Sequence, residues 1–121
     1  MAVETIDLST DLTAGVYKSD GVAATNNYCV IPVTWASLNG QPEMVVETAV
    51  EDVEASYHPA KMIGEYGVDT PIKLRLWEET TSIDGEILVI DSVYGDTPYV
   101  RVVVYGGNCT SGTITWEINV G

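Results

Sequence analysis

Apolar and polar positions alternate along most of this chain, most regularly near its end. Val100, Val102 and Val104 alternate with Tyr99, Arg101, Val103 and Tyr105, and Ile114, Trp116, Ile118 and Val120 alternate with Thr113, Thr115, Glu117 and Asn119. A period of two carried by β-branched and aromatic residues predicts half-buried strands. Between the two runs lies GGNCTSG, whose glycines and Asn108 accept the positive φ of a reversal, so residues 98–121 predict a closing hairpin that walls the core.

The same pattern recurs upstream. Tyr28 to Ala36 carries Cys29, Ile31, Val33 and Trp35 on one face, and Pro32 predicts an edge position or a bulge. Asn39-Gly40 predicts a hairpin turn into a return strand over Glu43 to Val50, with Met44, Val46, Thr48 and Val50 on one side. Ile72 to Trp77 alternates again, and Glu86 to Asp91 is a nearly continuous apolar run, as for a strand covered on both faces. Residues 55–71 lack alternation; a helical turn around Pro59 to Ile63 is the most order they predict, with Gly64 and Gly67 stopping anything longer.

The first 24 residues alternate weakly over Val3 to Thr10 and then run through turn-forming LTAGVYKSDGVAATNN. They predict an N-terminal arm with a short edge strand (1–24), either free or docked on a neighbouring subunit and, where ordered, packed on something other than its own core, followed by the folded domain (25–121). The fold class is all-β: a single antiparallel β-sandwich of about seven strands, Ig-like or jelly-roll in its connections.

Length and charge sharpen this picture. A chain of 121 residues is one domain with one core. Eighteen acidic residues against five basic ones give a net charge of −13, which is unsuited to a nucleic-acid backbone or an anionic membrane surface. Such charge keeps a strand-rich protein soluble and discourages edge pairing; it also suits a basic partner, or a position outside a shell that packages nucleic acid. No apolar run reaches the roughly 18 residues of a membrane span. The opening MAVETIDLST has neither a basic nor an apolar signal region, so no secretion signal is expected. Cys29 and Cys109 are expected as free thiols, with a bridge between them left open. Asn108-Cys109-Thr110 matches a glycosylation acceptor that has no use without secretion.

Chemistry is sparse. Glu51-Asp52-Val53-Glu54 offers oxygen ligands but not the spacing or glycine of a calcium loop, so a solvated acidic turn is expected. His58 is the only histidine, with no partner for metal binding or nucleophilic catalysis in view, and is expected as a loop residue. No catalytic residue, metal ligand or cofactor site is expected, and no pair of carboxylates is marked out for glycoside hydrolysis. Interfaces are anchored by aromatic and arginine side chains. The expected partner-binding residues are therefore Tyr17, Tyr28, Trp77, Tyr99, Arg101 and Tyr105.

Two stretches carry a resemblance. Pro98 to Val104, the following Gly-Gly-Asn turn and Thr110 to Thr115 resemble the closing hairpin of small β-sandwich domains in tailed-phage virion proteins. Val33 to Gly40 with Met44 to Val50 resembles their first hairpin; Ala49 to Asp52 and Tyr57 stand where those domains often have a Ser-x-Asp-Gly turn and a tryptophan. The resemblance implies a non-enzymatic structural virion protein, assembled in the host cytoplasm. It would be a capsid decoration or head-fibre subunit, expected as a homo-oligomer, binding the major capsid protein or other virion proteins by surface complementarity. The alternative it implies is a tail-associated carbohydrate- or receptor-binding module, with Trp77, Glu78 and Glu79 as a sugar platform.

Overall fold

A computed structural model describes residues 3–23, 28–59, 61–63, 69–71, 73–75, 83–91 and 99–120, with residues 28–30, 61–63, 69–71, 73–75, 83–91 and 120 described by their backbone. The strands, in chain order, are β1 (Val3–Asp7), β2 (Val16–Lys18), β3 (Val22–Ala23), β4 (Tyr28–Ala36), β5 (Glu43–Ala49), β6 (His58–Pro59) and β7 (Lys61–Ile63). They continue as β8 (Asp69–Pro71), β9 (Lys73–Arg75), β10 (Ile83–Asp91), β11 (Tyr99–Tyr105), β12 (Thr113–Glu117) and β13 (Asn119–Val120). One 3-10 turn, Glu54–Ser56, follows β5. The protein is an all-β sandwich, its strands more numerous and shorter than the seven expected because several edges are broken into short pieces.

One sheet has the order β1-β12-β4-β10, with β13 also on β4; the other has the order β2-β11-β5-β6, with β3 on β11 and β9 on β5. All pairings are antiparallel. Alternation sends Ile6, Ile31, Val33, Trp35, Ile114 and Trp116 inward from the first sheet against Met44, Val46, Val100, Val102 and Val104 from the second. Leu8, Leu38, Cys109 and Ile118 complete the core. Each side chain buried this fully contributes about 1.5–3 kcal/mol by leaving water.

Neither expected hairpin forms. β4 and β5 lie in different sheets, as do β11 and β12, so residues 37–42 and 106–112 cross from sheet to sheet. The inward residues of each pair face one another through the core instead of lying side by side. The two crossing loops are tied to each other: Asn39 Oδ1 accepts the Thr110 and Ser111 N–H groups at 2.8 and 3.1 Å, and Asn39 Nδ2 donates to Thr110 Oγ1 at 2.9 Å. Asn108 Oδ1 accepts the Gln41 N–H at 2.9 Å. Contact is so close at Gly40 that a Cβ would stand 2.6 Å from Asn108 Oδ1.

The short edge strand expected near the start is present as β1, but the segment packs on its own core and not away from it. β1 runs along β12 from Val3 opposite Glu117 to Asp7 opposite Thr113, while β2 and β3 run along β11. Ile6 and Leu8 lie in the core, and Leu8 N–H donates to Gly112 O at 3.0 Å. The segment contributes an edge strand to each sheet, so it is integral to the sandwich.

Pro32 sits in an interior strand: β4 pairs with β10 on one side and with β12 and β13 on the other. The register of β12 and β13 on β4 places Glu117 opposite Pro32, where the ladder breaks between the two short strands. A proline has no N–H to offer there. The expected helical turn at 59–63 is replaced by strand, β7 pairing with β8. β10 begins earlier than expected, at Ile83, with a register shift before Glu86. Cys109 is a free, buried thiol, so no bridge joins it to Cys29.

Candidate functional site

The outer face of the second sheet is covered as well as its inner face, since Val45, Glu47, Ala49, Arg101 and Val103 are buried. Arg101 stands opposite Glu47 in the register of β11 and β5. Its Nε and Nη2 donate to Glu47 Oε1 at 2.8 and 2.6 Å, and Nη1 donates to Glu54 Oε2 at 2.6 Å. The guanidinium carbon lies 4.1 Å from the Tyr57 ring centroid, a cation–π contact. Lys18 Nζ donates to Glu54 Oε1 at 2.6 Å, and Tyr57 OH donates to Asp52 Oδ1 at 2.6 Å.

Arg101, Glu54, Tyr57, Lys18 and Asp52, with Ser19, Asp20 and Gly21, line a polar recess of about 360 Å³. Hydrogen bonds from Arg101 and then Lys18 pull the Glu54 carboxyl from its ordinary 4.5 down to about 2. Burial, then the Asp52 carboxylate, pushes the Tyr57 phenol well above its usual range. Both cations of the cluster are thus engaged by carboxylates of the same chain, and its chemistry is that of a clamp holding the 51–57 segment against the sheet.

A second recess lies at the β2 edge. Thr13 and Val16 exchange backbone hydrogen bonds of 2.9 and 3.0 Å around Ala14 and Gly15, whose φ values of 53° and 80° carry the signs of a type I′ turn. This tight turn presents Asp11, Thr13, Val16, Tyr17 and Lys18 opposite Tyr105, around an open groove of about 680 Å³. The Tyr17 ring meets Trp116 edge-on at 5.8 Å, and its hydroxyl donates to Glu4 Oε2 at 3.2 Å. Beyond β2 the edge is kept in register by Ser19: its N–H donates to Val102 O, and its Oγ accepts the Val102 N–H, both at 2.9 Å.

The chain matches no protein-family model and no curated protein. The site therefore has to be read from its own geometry. Among the described residues no group of three or more His, Cys, Asp or Glu is placed to hold a metal ion. Among them, too, no helix is long and apolar enough to cross a membrane.

Of the expected partner-binding residues, Tyr17 and Tyr105 both line the groove, Tyr17 with its ring turned to Trp116 and Tyr105 from the opposite face of the second sheet. Tyr105 is 41% exposed, while Tyr17 is half-buried. Tyr99 is half-buried at the start of β11, opposite Ala49 and Ala23. Arg101 is only 6% exposed with its guanidinium engaged internally, so it anchors the fold and not a surface. Tyr28 pairs with Asp91 through its backbone, and its side chain lies outside the described residues, as do Trp77, Glu78 and Glu79. His58 is exposed in β6, with Nδ1 3.2 Å from Ser56 O. Sequence reasoning passed over Asp11, Thr13 and Val16 in the groove and Glu47 in the clamp, and it read Glu54 as part of a solvated acidic turn instead of a partner of Arg101. The one available signal was a central strand bearing an arginine in a chain with few cations.

Proposed function

We propose that this protein is a non-enzymatic structural virion component, a capsid decoration or head-fibre subunit that binds the major capsid protein by surface complementarity. The observation that carries the binding role is the open groove between the 11–18 segment and Tyr105. It combines the exposed Tyr105 ring, a valine, the partly buried Tyr17 and a rim of polar groups, the mixture that anchors protein interfaces. Its supporting shell is rigid: the type I′ turn, the Tyr17–Trp116 contact and the Ser19–Val102 pair hold it on the sandwich.

The virion setting comes from the resemblance of the 33–50 and 98–115 segments to phage sandwich domains. Their strands do face each other in a sandwich, although they are joined through the core and not as hairpins. The acidic surface fits a position outside packaged nucleic acid. A role as a tail-associated saccharide binder is favoured by one feature, the exposed Tyr105 ring beside Asp11. Quantitative mass spectrometry of density-gradient-purified particles tests the proposal: the chain is expected at a fixed ratio to the major capsid protein. Its absence from particles, or its recovery with isolated tails alone, overturns the decoration role.

A further inference from the structure

We infer that the groove is a docking site for a lysine- or arginine-bearing segment of a partner protein, whose cationic side chain lies over Tyr105 beside the Asp11 carboxylate. The inference rests on the binding role above and supplies the chemistry of the partner.

The groove's own charges leave room for such a cation. Lys18 is the one basic residue lining it, and Glu54 already holds its ammonium at 2.6 Å. The carboxylate of Asp11 accepts hydrogen bonds from neutral donors, the Asp7 N–H at 2.7 Å and the Thr10 hydroxyl at 3.3 Å. Glu4 and Asp20 add negative field behind Tyr17, whose phenol is raised by burial and then by Glu4, Asp20 and Asp11. Glu4 itself is raised, first by burial and further by Asp20. Carboxylates crowded this way are relieved by an incoming positive charge.

Tyr105 supplies the complementary surface. Among the described residues it is the one aromatic with a large exposed area, and an exposed ring lining the same groove as the Asp11 carboxylate is a favourable seat for guanidinium or ammonium. A second copy of this chain is a poor occupant, since it brings another −13. Its own Arg101 is buried and its Lys18 paired. Backbone pairing adds little, because the Thr13–Val16 turn consumes the outward N–H and C=O of Val16.

The test is an amide chemical-shift titration of the full chain with two decapeptides, one alternating Arg and Ser, the other alternating Glu and Ser. Shifts confined to residues 11–18 and around Tyr105, seen with the Arg peptide alone, are expected. Asp11→Asn and Tyr105→Ser should each weaken the affinity by about fivefold to tenfold, as for loss of one desolvated cation contact. Glu51→Gln, in the exposed acidic turn, should leave it within about twofold, the scale of a screened surface charge. Asp11→Asn keeps the question open to test if Tyr105→Ser fails to fold. Absence of binding, shifts spread over the acidic surface, indifference to both variants, or a neutral saccharide displacing the peptide would each overturn the inference. Failure of the virion role appears instead as absence from particles, with the titration unchanged.

Discussion

Arg101 and Glu47 face each other across β11 and β5, and two guanidinium nitrogens of the arginine donate to one oxygen of the glutamate. Both residues are buried, at 6% and 8% exposure. A pair of this kind gains little over apolar packing but is costly to break singly, because the surviving charge stays buried. Glu54 still holds the guanidinium when Glu47 is lost, so Glu47→Leu alone should cost about 1–3 kcal/mol, whereas Glu47→Leu with Arg101→Leu should recover part of that loss. Urea denaturation of the two variants decides it; equal losses would show that the charge pairing is not what makes the single change costly.

The crossing loops should be energetically coupled. Asn39→Ala removes three hydrogen bonds and Asn108→Ala one, each worth about 0.5–1.5 kcal/mol. Since both asparagines tie the same two loops, the double variant should lose less than the sum of the singles, with an interaction energy of at least about 0.5 kcal/mol. Strict additivity in a double-mutant cycle would mean that the loops are held independently.

Ala14 occupies a left-handed conformation, φ 53°, followed by Gly15 at 80°. A Cβ in that region costs about 1–2 kcal/mol, and asparagine tolerates it better than alanine. Ala14→Asn creates the preferred Asn-Gly turn and should raise the melting temperature by a few degrees, about 2–6 °C. A fall in Tm would argue that the 13–16 turn is not formed as described.

Glu54 sets an acid limb of stability. Its folded pKa lies near 2 against an ordinary 4.5, so its contribution is fully present above about 4.5 and is lost as pH falls towards 2. Glu54→Gln should be less stable than the parent at pH 7, with the gap closing between those values. Because the carboxylate is exposed, added salt should narrow the gap at every pH. A gap that persists at pH 2 would assign the effect of Glu54 to packing instead.

The period-two pattern identified the strands over Tyr28–Ala36, Glu43–Ala49, Tyr99–Tyr105 and Thr113–Glu117, and with them the sandwich. It was silent on pairing, because two strands whose apolar faces meet through the core alternate just as two hydrogen-bonded neighbours do. Asn39-Gly40 has the composition of a hairpin turn, yet Asn39 spends its side chain on Thr110 and Ser111, contacts distant in sequence. Over residues 3–23 the edge strand was legible but its place in the core was not: β2 and β3 are short and broken by Ser19 to Gly21, and tertiary pairing with β11 and β12 supplies the order that local pattern lacks. Tyr17 and Tyr105 stood out by residue type, but that both line one groove depends on the pairing of β2 with β11. Arg101 was misplaced because alternation put it on an outer face that the 51–57 segment then covers.

The central claim is that this sandwich works by fitting its tyrosine groove against another protein of a particle. Copy number in purified particles, measured for the parent chain and for Asp11→Asn/Tyr105→Ser, tests it most directly. The account predicts a fixed stoichiometry for the parent and loss of the doubly substituted chain from particles while it remains folded in solution. Particles that retain the variant at parental copy number, or that never contain the parent chain, would contradict it.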